Sequence, residues 1–88
     1  MNPYQSSLQH CQERAYERYA MNLVPSAYDE LVTQVRSMGG DEAIKWEGPQ
    51  GTFILSFRGR KVVVVFNKDS GLVTTLLPPE DFAQYLHF

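Results

Sequence analysis

The order of apolar and polar positions splits this chain into a helical half and a strand half. Tyr4, Leu8, Cys11, Ala15 and Tyr19 recur every three or four residues, which predicts a helix over about 3–21 with one apolar stripe. Asn2, Pro3 and Gln5 read as its N-cap, its first helical residue and a side chain reaching back to the cap. Residues 22–25 form a break, because the residue before a proline resists helical geometry. A second helix is predicted over about 26–38. Ser26 would cap it with Asp29 as partner, Leu31, Val35 and Met38 would be its buried stripe, and Gly39-Gly40 would end it.

From Ala43 onward the period is two. Strands are predicted over about 43–47, 52–58, 61–67 and 72–77. Between them lie a Gly48-Pro49-Gln50-Gly51 turn, a two-residue Gly59-Arg60 hairpin of type II′, and a Lys68-Asp69-Ser70-Gly71 turn with Gly71 as a bulge glycine. Pro78-Pro79 stops the last strand, and about 80–86 reads as a short closing helix. With that register Phe53, Leu55, Phe57, Val62, Val64, Phe66, Leu72, Thr74 and Leu76 share one face, on which the helices should dock. The other face carries Ile54, Ser56, Arg58, Lys61, Val63, Val65, Val73, Thr75 and Leu77, half-way between solvated and sticky. The expected fold is α+β: two N-terminal helices packed on a four-stranded antiparallel meander, with a short C-terminal helix.

Length and composition narrow the class. Eighty-eight residues leave room for one domain, 1–88, and 43% hydrophobic with 20% charged residues is ordinary for a folded one. The longest apolar run, 62–66, suits a strand and is far too short for a bilayer, and the N-terminal residues lack the apolar core of a signal peptide. A cytoplasmic location without membrane partners is therefore expected. Cys11 is the single cysteine, so no internal disulfide and no thiolate metal cage are expected. No phosphate-binding glycine loop, dinucleotide fingerprint or metal constellation is present, and no cofactor is expected. The formal net charge of −2 argues against nucleic acid unless cations are gathered locally.

Two such gatherings exist. His10, Arg14 and Arg18 stand at i, i+4 and i+8, one ridge of the first helix about 100° from the centre of its apolar stripe. Histidine is a residue type suited to acid–base work, and two guanidiniums can grip phosphate oxygens in fork geometry. Glu13 and Glu17 interleave with the arginines, as on many solvated helices, yet the like-charged i, i+4 pairs do not favour the helix. Arg58, Arg60 and Lys61 form the second group, at a hairpin tip where charge is common anyway. Cys11 lies on the apolar stripe and reads as a small core residue. Ser56 lacks a nucleophile elbow, and His87 reads as a solvated residue near the terminus.

The His10-x-x-x-Arg14-x-x-x-Arg18 ridge, the second helix, the meander and the Gly71-Leu72-Val73-Thr74-Thr75-Leu76 segment together resemble small bacterial and phage domains related to the BrnT and RelE toxins. These belong to the barnase–colicin–RelE ribonuclease fold, and the resemblance spans roughly residues 8–77. It implies metal-independent RNA cleavage, in which a 2′-hydroxyl attacks the adjacent phosphate. His10 would be the acid or base, Arg14 and Arg18 would hold phosphate, Thr75 would position or donate, and Arg58, Arg60 and Lys61 would bind substrate. RNA and an antitoxin are the partners this implies. The last strand lacks the histidine, tyrosine or extra arginine that such toxins place late in the chain. The rival expectation is a non-catalytic phage or accessory protein that inhibits a host protein through the open sheet face, aided by the aromatic residues Phe82, Tyr85 and Phe88.

Overall fold

A computed structural model describes residues 2–83. Helix α1 runs Pro3–Tyr19 and helix α2 runs Pro25–Arg36. A 3-10 turn at Gly40–Glu42 leads into the strands β1 (Lys45–Glu47), β2 (Gln50–Phe57), β3 (Arg60–Asn67) and β4 (Leu72–Leu77). These form one antiparallel sheet in the order β1-β2-β3-β4, followed by a 3-10 turn at Pro79–Phe82. The expected α+β class and meander are what the structure shows. The closing helix expected over about 80–86 begins as that 3-10 turn, and its remainder lies outside the described residues.

Helix α1 starts as its sequence implies, with Pro3 in the first turn and the Asn2 side chain accepting the Gln5 N–H at 2.8 Å. It ends two residues early, where Ala20 turns left-handed at φ 51. Helix α2 departs from expectation at both ends. It starts at Pro25 with no side-chain cap, so Ser26 is not the capping residue. Proline supplies the helical φ and has no N–H in need of a partner. It ends at Arg36, where the Ser37 hydroxyl donates to the Gln34 carbonyl at 2.6 Å. Gly39 is extended rather than left-handed, and its N–H is held by the Glu42 carboxylate at 2.6 Å, so the glycine pair is not the helix cap.

Three corrections apply to the sheet. First, β1 is shorter than expected; Ala43 and Ile44 precede it, and the hairpin turns on Gly48-Pro49 alone, with Glu47 opposite Gln50. Second, the central loop is Arg58-Gly59, not Gly59-Arg60: Phe57 pairs with Arg60 and Leu55 with Val62. Both loop residues have positive φ (51 and 79), the type I′ geometry that follows the natural strand twist. The Arg58 guanidinium is held by Glu30 at 2.8 Å and lies 5.6 Å from the centre of the Phe57 ring. The slip moves each partner by two residues, so the face assignments survive.

Third, the bulge lies at Thr74 rather than at Gly71. Phe66 pairs with Val73 but Val65 with Thr75, leaving Thr74 unmatched. Gly71, at φ 71, closes the preceding turn through its N–H to Asn67 O at 2.8 Å. The bulge turns Val73, expected on the open face, into the core. Val73 is fully buried there with Leu76, Val64, Val62, Phe57, Leu55 and Phe53 against the stripes of α1 and α2.

The face expected to be open is not wholly so. Val63 is fully buried on it and Thr52 is 5% exposed, and β3 meets the Pro79–Phe82 turn. Ile54, Val65, Thr75 and Leu77 are half-buried.

Cys11 is fully buried on α1 with its thiol directed to Val73 O at 3.3 Å, and burial pushes its pKa up to about 12. In the unfolded chain the thiol ionises from about pH 8.5 upward, so between there and pH 12 the unfolded state carries fewer protons than the folded one. Stability attributable to this group is complete below that range and declines as pH rises through it. Tyr19 and Tyr28, also raised by desolvation, act in the same direction. Urea denaturation between pH 8 and 11 should show falling midpoints, with a shallower fall for Cys11→Ala. Cys11 in the folded wild type should also resist alkylation at pH 8.

Candidate functional site

The sequence of α1 directs its last turn onto β4. Arg18 stands beside the buried stripe and donates from Nη1 to Leu76 O at 2.5 Å. Tyr19, the last stripe residue, is 5% exposed, and its phenol donates to Leu77 O at 2.7 Å. That same oxygen accepts the Val63 N–H at 3.0 Å. Val63 and Leu77 are paired residues of β3 and β4. A tyrosine hydroxyl therefore bridges the two strands at the end of their ladder.

The central hairpin returns to the same place. Arg60, the first residue of β3, donates from Nη1 to the Tyr19 carbonyl, one of the helix-end acceptors left without an intrahelical partner. Glu17, Arg18, Tyr19, Ala20, Arg60, Lys61 and Pro79 together line a cleft of about 490 Å³. The end of the helix ridge and two of the three hairpin-tip cations, separate groups in the sequence, thus share one cavity.

Three cations and one anion line this cleft, and the anion, Glu17, is bonded to Arg14 at 2.6 Å. The C-terminal end of α1 contributes about half a negative charge, which opposes an anionic ligand. Arg18, Arg60 and Lys61 set positive charge against it. Each guanidinium has five N–H donors, and Arg18 and Arg60 are each oriented here by a backbone bond through Nη1. A guanidinium held this way through one nitrogen has the fork geometry that suits phosphate or carboxylate oxygens. Capping the helix end is a structural duty of Arg60, and it also fixes where that guanidinium sits.

The other residues singled out in the sequence are placed as follows. Thr75 is half-buried with its hydroxyl 3.5 Å from Leu76 O, the acceptor that Arg18 also uses, so it adjoins the cleft without lining it. Arg14 is committed to Glu17 at the rim. His10 is half-buried on α1, and eight residues of helical rise place it about 12 Å along the axis from Arg18. Arg58 leaves the group altogether, paired with Glu30 on α2 at 2.8 Å. Both of those side chains are more than half exposed, a pair worth about 0–1 kcal/mol.

The sequence reading missed Tyr19, treating it as one more apolar stripe residue. The available signal was chemical: a buried tyrosine normally finds a partner for its hydroxyl, and none of the stripe's neighbours offers one. Among the described residues no group of three or more histidines, cysteines or carboxylates converges to hold a metal, and no helix is long and apolar enough to cross a membrane. Comparison of the chain with protein-family models, curated proteins and solved structures finds no match.

Proposed function

We propose that this chain is an RNA-binding domain of the BrnT- and RelE-like kind, gripping a backbone phosphate in the cleft between the end of α1 and the start of β3. The observation that supports the reading is the convergence of Arg18, Arg60 and Lys61 on one cavity in a chain of net negative charge. Cations brought together against the overall balance concentrate the field where a phosphate would sit. In the cleaving form of this reading His10 is the acid or base, Arg14 and Arg18 hold phosphate, and Thr75 positions a reacting oxygen. The distance from His10 to Arg18 then assigns them to different phosphates of the same strand.

Binding is measured by anisotropy of a short fluorescein-labelled single-stranded RNA of mixed sequence. Arg18→Ala and Arg60→Ala should each weaken it about tenfold and reduce the salt slope by about 0.7, one phosphate contact on a single strand. Arg58→Ala should leave both unchanged, since Arg58 lies away from the cleft. Absence of wild-type binding at low salt would refute the reading. Cleavage of total RNA by the wild type but not by His10→Ala would establish the catalytic form; intact RNA with retained binding would leave a binding module.

A further inference from the structure

We infer that Tyr19 is the positioning residue of the phosphate cleft, a clip that holds its two halves in register; this rests on the reading of the cleft given above. The cations come from different elements, Arg18 from α1 and Arg60 and Lys61 from β3, and fixing them relative to one another requires a joint. Tyr19 is that joint, and it works at both ends of the residue. Its hydroxyl donates to Leu77 O at 2.7 Å and accepts from Val63 N at 3.0 Å, fastening α1 to β3 and β4 at once. Its carbonyl receives the Arg60 guanidinium. Val63 follows Arg60 by three residues on the same strand, so the strand bound by the hydroxyl is the one that carries the two cations.

A second tyrosine bonded to β4 serves as an internal control. Tyr28 on α2 donates its hydroxyl to Val73 O at 2.7 Å, is fully buried, and lies outside the cleft lining. Tyr28→Phe and Tyr19→Phe each remove a tyrosine hydroxyl bonded to β4, Tyr19→Phe also leaving Val63 N–H without it; a purely structural role would lower the stability of both and leave the RNA affinity of the folded protein unchanged in both.

The experiment compares the two variants in the RNA anisotropy assay, well below their melting temperatures. Tyr19→Phe keeps the carbonyl that receives Arg60 but removes the hydroxyl that ties α1 to Val63 and Leu77, and it should weaken binding five- to tenfold as the start of β3 loses its register with α1, whereas Tyr28→Phe should stay within twofold of wild type. A second measurement needs no substitution. Hydrogen exchange at the Val63 amide, which donates to the Tyr19 hydroxyl, should slow several-fold when RNA binds, because coupling between site and clip is reciprocal. Unchanged Tyr19→Phe affinity, an equal loss in Tyr28→Phe, or Val63 exchange indifferent to RNA would each overturn the inference. In those cases Arg18→Ala and Arg60→Ala still report separately on the cleft itself.

Discussion

Phe57→Ala is expected to cost about 3–5 kcal/mol, the range for emptying a buried phenylalanine site. Phe57 is fully buried at the end of β2, within the cluster that joins the sheet to both helices. Its ring also carries the Arg58 guanidinium, 5.6 Å from its centre, and so supports the left-handed residue of the hairpin loop. Small domains are stable by only about 5–15 kcal/mol, so this one truncation removes a large part of the total. Thermal unfolding should shift down by about 15–30 °C. Because Phe57 pairs with Arg60, RNA binding should also weaken in the folded fraction. A shift under about 5 °C would mean that the hairpin end is not locked into the core as described.

Gly51→Val should be the next most damaging single change, at about 2–3 kcal/mol, in the range of overpacked sites. Gly51 sits opposite Trp46 in the β1–β2 ladder, and a Cβ there would meet three Trp46 ring atoms at 2.8–2.9 Å. The indole cannot yield cheaply, since its Nε1 donates to Gly40 O at 2.9 Å and its ring meets Phe53 edge-on at 6.0 Å. Trp46 is the one tryptophan in the chain, so its fluorescence reports on this site without interference. The variant should shift the emission to the red in the native state and lower the urea midpoint. Gly48→Ala is the contrast. There the backbone φ of 59 is strained for alanine but the space is open, so the cost should be about 1 kcal/mol with Trp46 emission unchanged.

Most of this architecture was legible in the sequence because the apolar period changes from helical to alternating near residue 43. The docking face of β2 and β3 followed from parity alone, which is why a hairpin whose cross-strand partners moved by two residues still placed Phe53, Leu55, Phe57, Val62 and Val64 in the core. Val73 was misplaced because a bulge leaves no mark on an alternating run such as 72–77; only the pairing with β3 reveals Thr74 as the extra residue. The helix ends were misjudged where local residue preference met a stronger constraint, Pro25 at one end of α2 and Ser37 at the other. The cleft shows the same division. Arg18, Arg60 and Lys61 could be picked as charged groups, but their meeting depends on α1 ending beside the start of β3. Arg58 could not be separated from them until Glu30 was seen within 2.8 Å of it.

The carbonyls of β4 have a consequence beyond holding the helices. Cys11 and Tyr28 both reach Val73 O, Arg18 reaches Leu76 O, and Tyr19 reaches Leu77 O. A strand at the margin of a sheet ordinarily offers such acceptors to any extended peptide that drifts past. Here α1 and α2 side chains already occupy several of them, and the opposite margin, β1, is three residues long with Lys45 and Glu47 flanking its tryptophan. Among the described residues one border is thus short and charged and the other is crossed by helix side chains, so an extended peptide adding to β4 would compete with the bonds that dock α1.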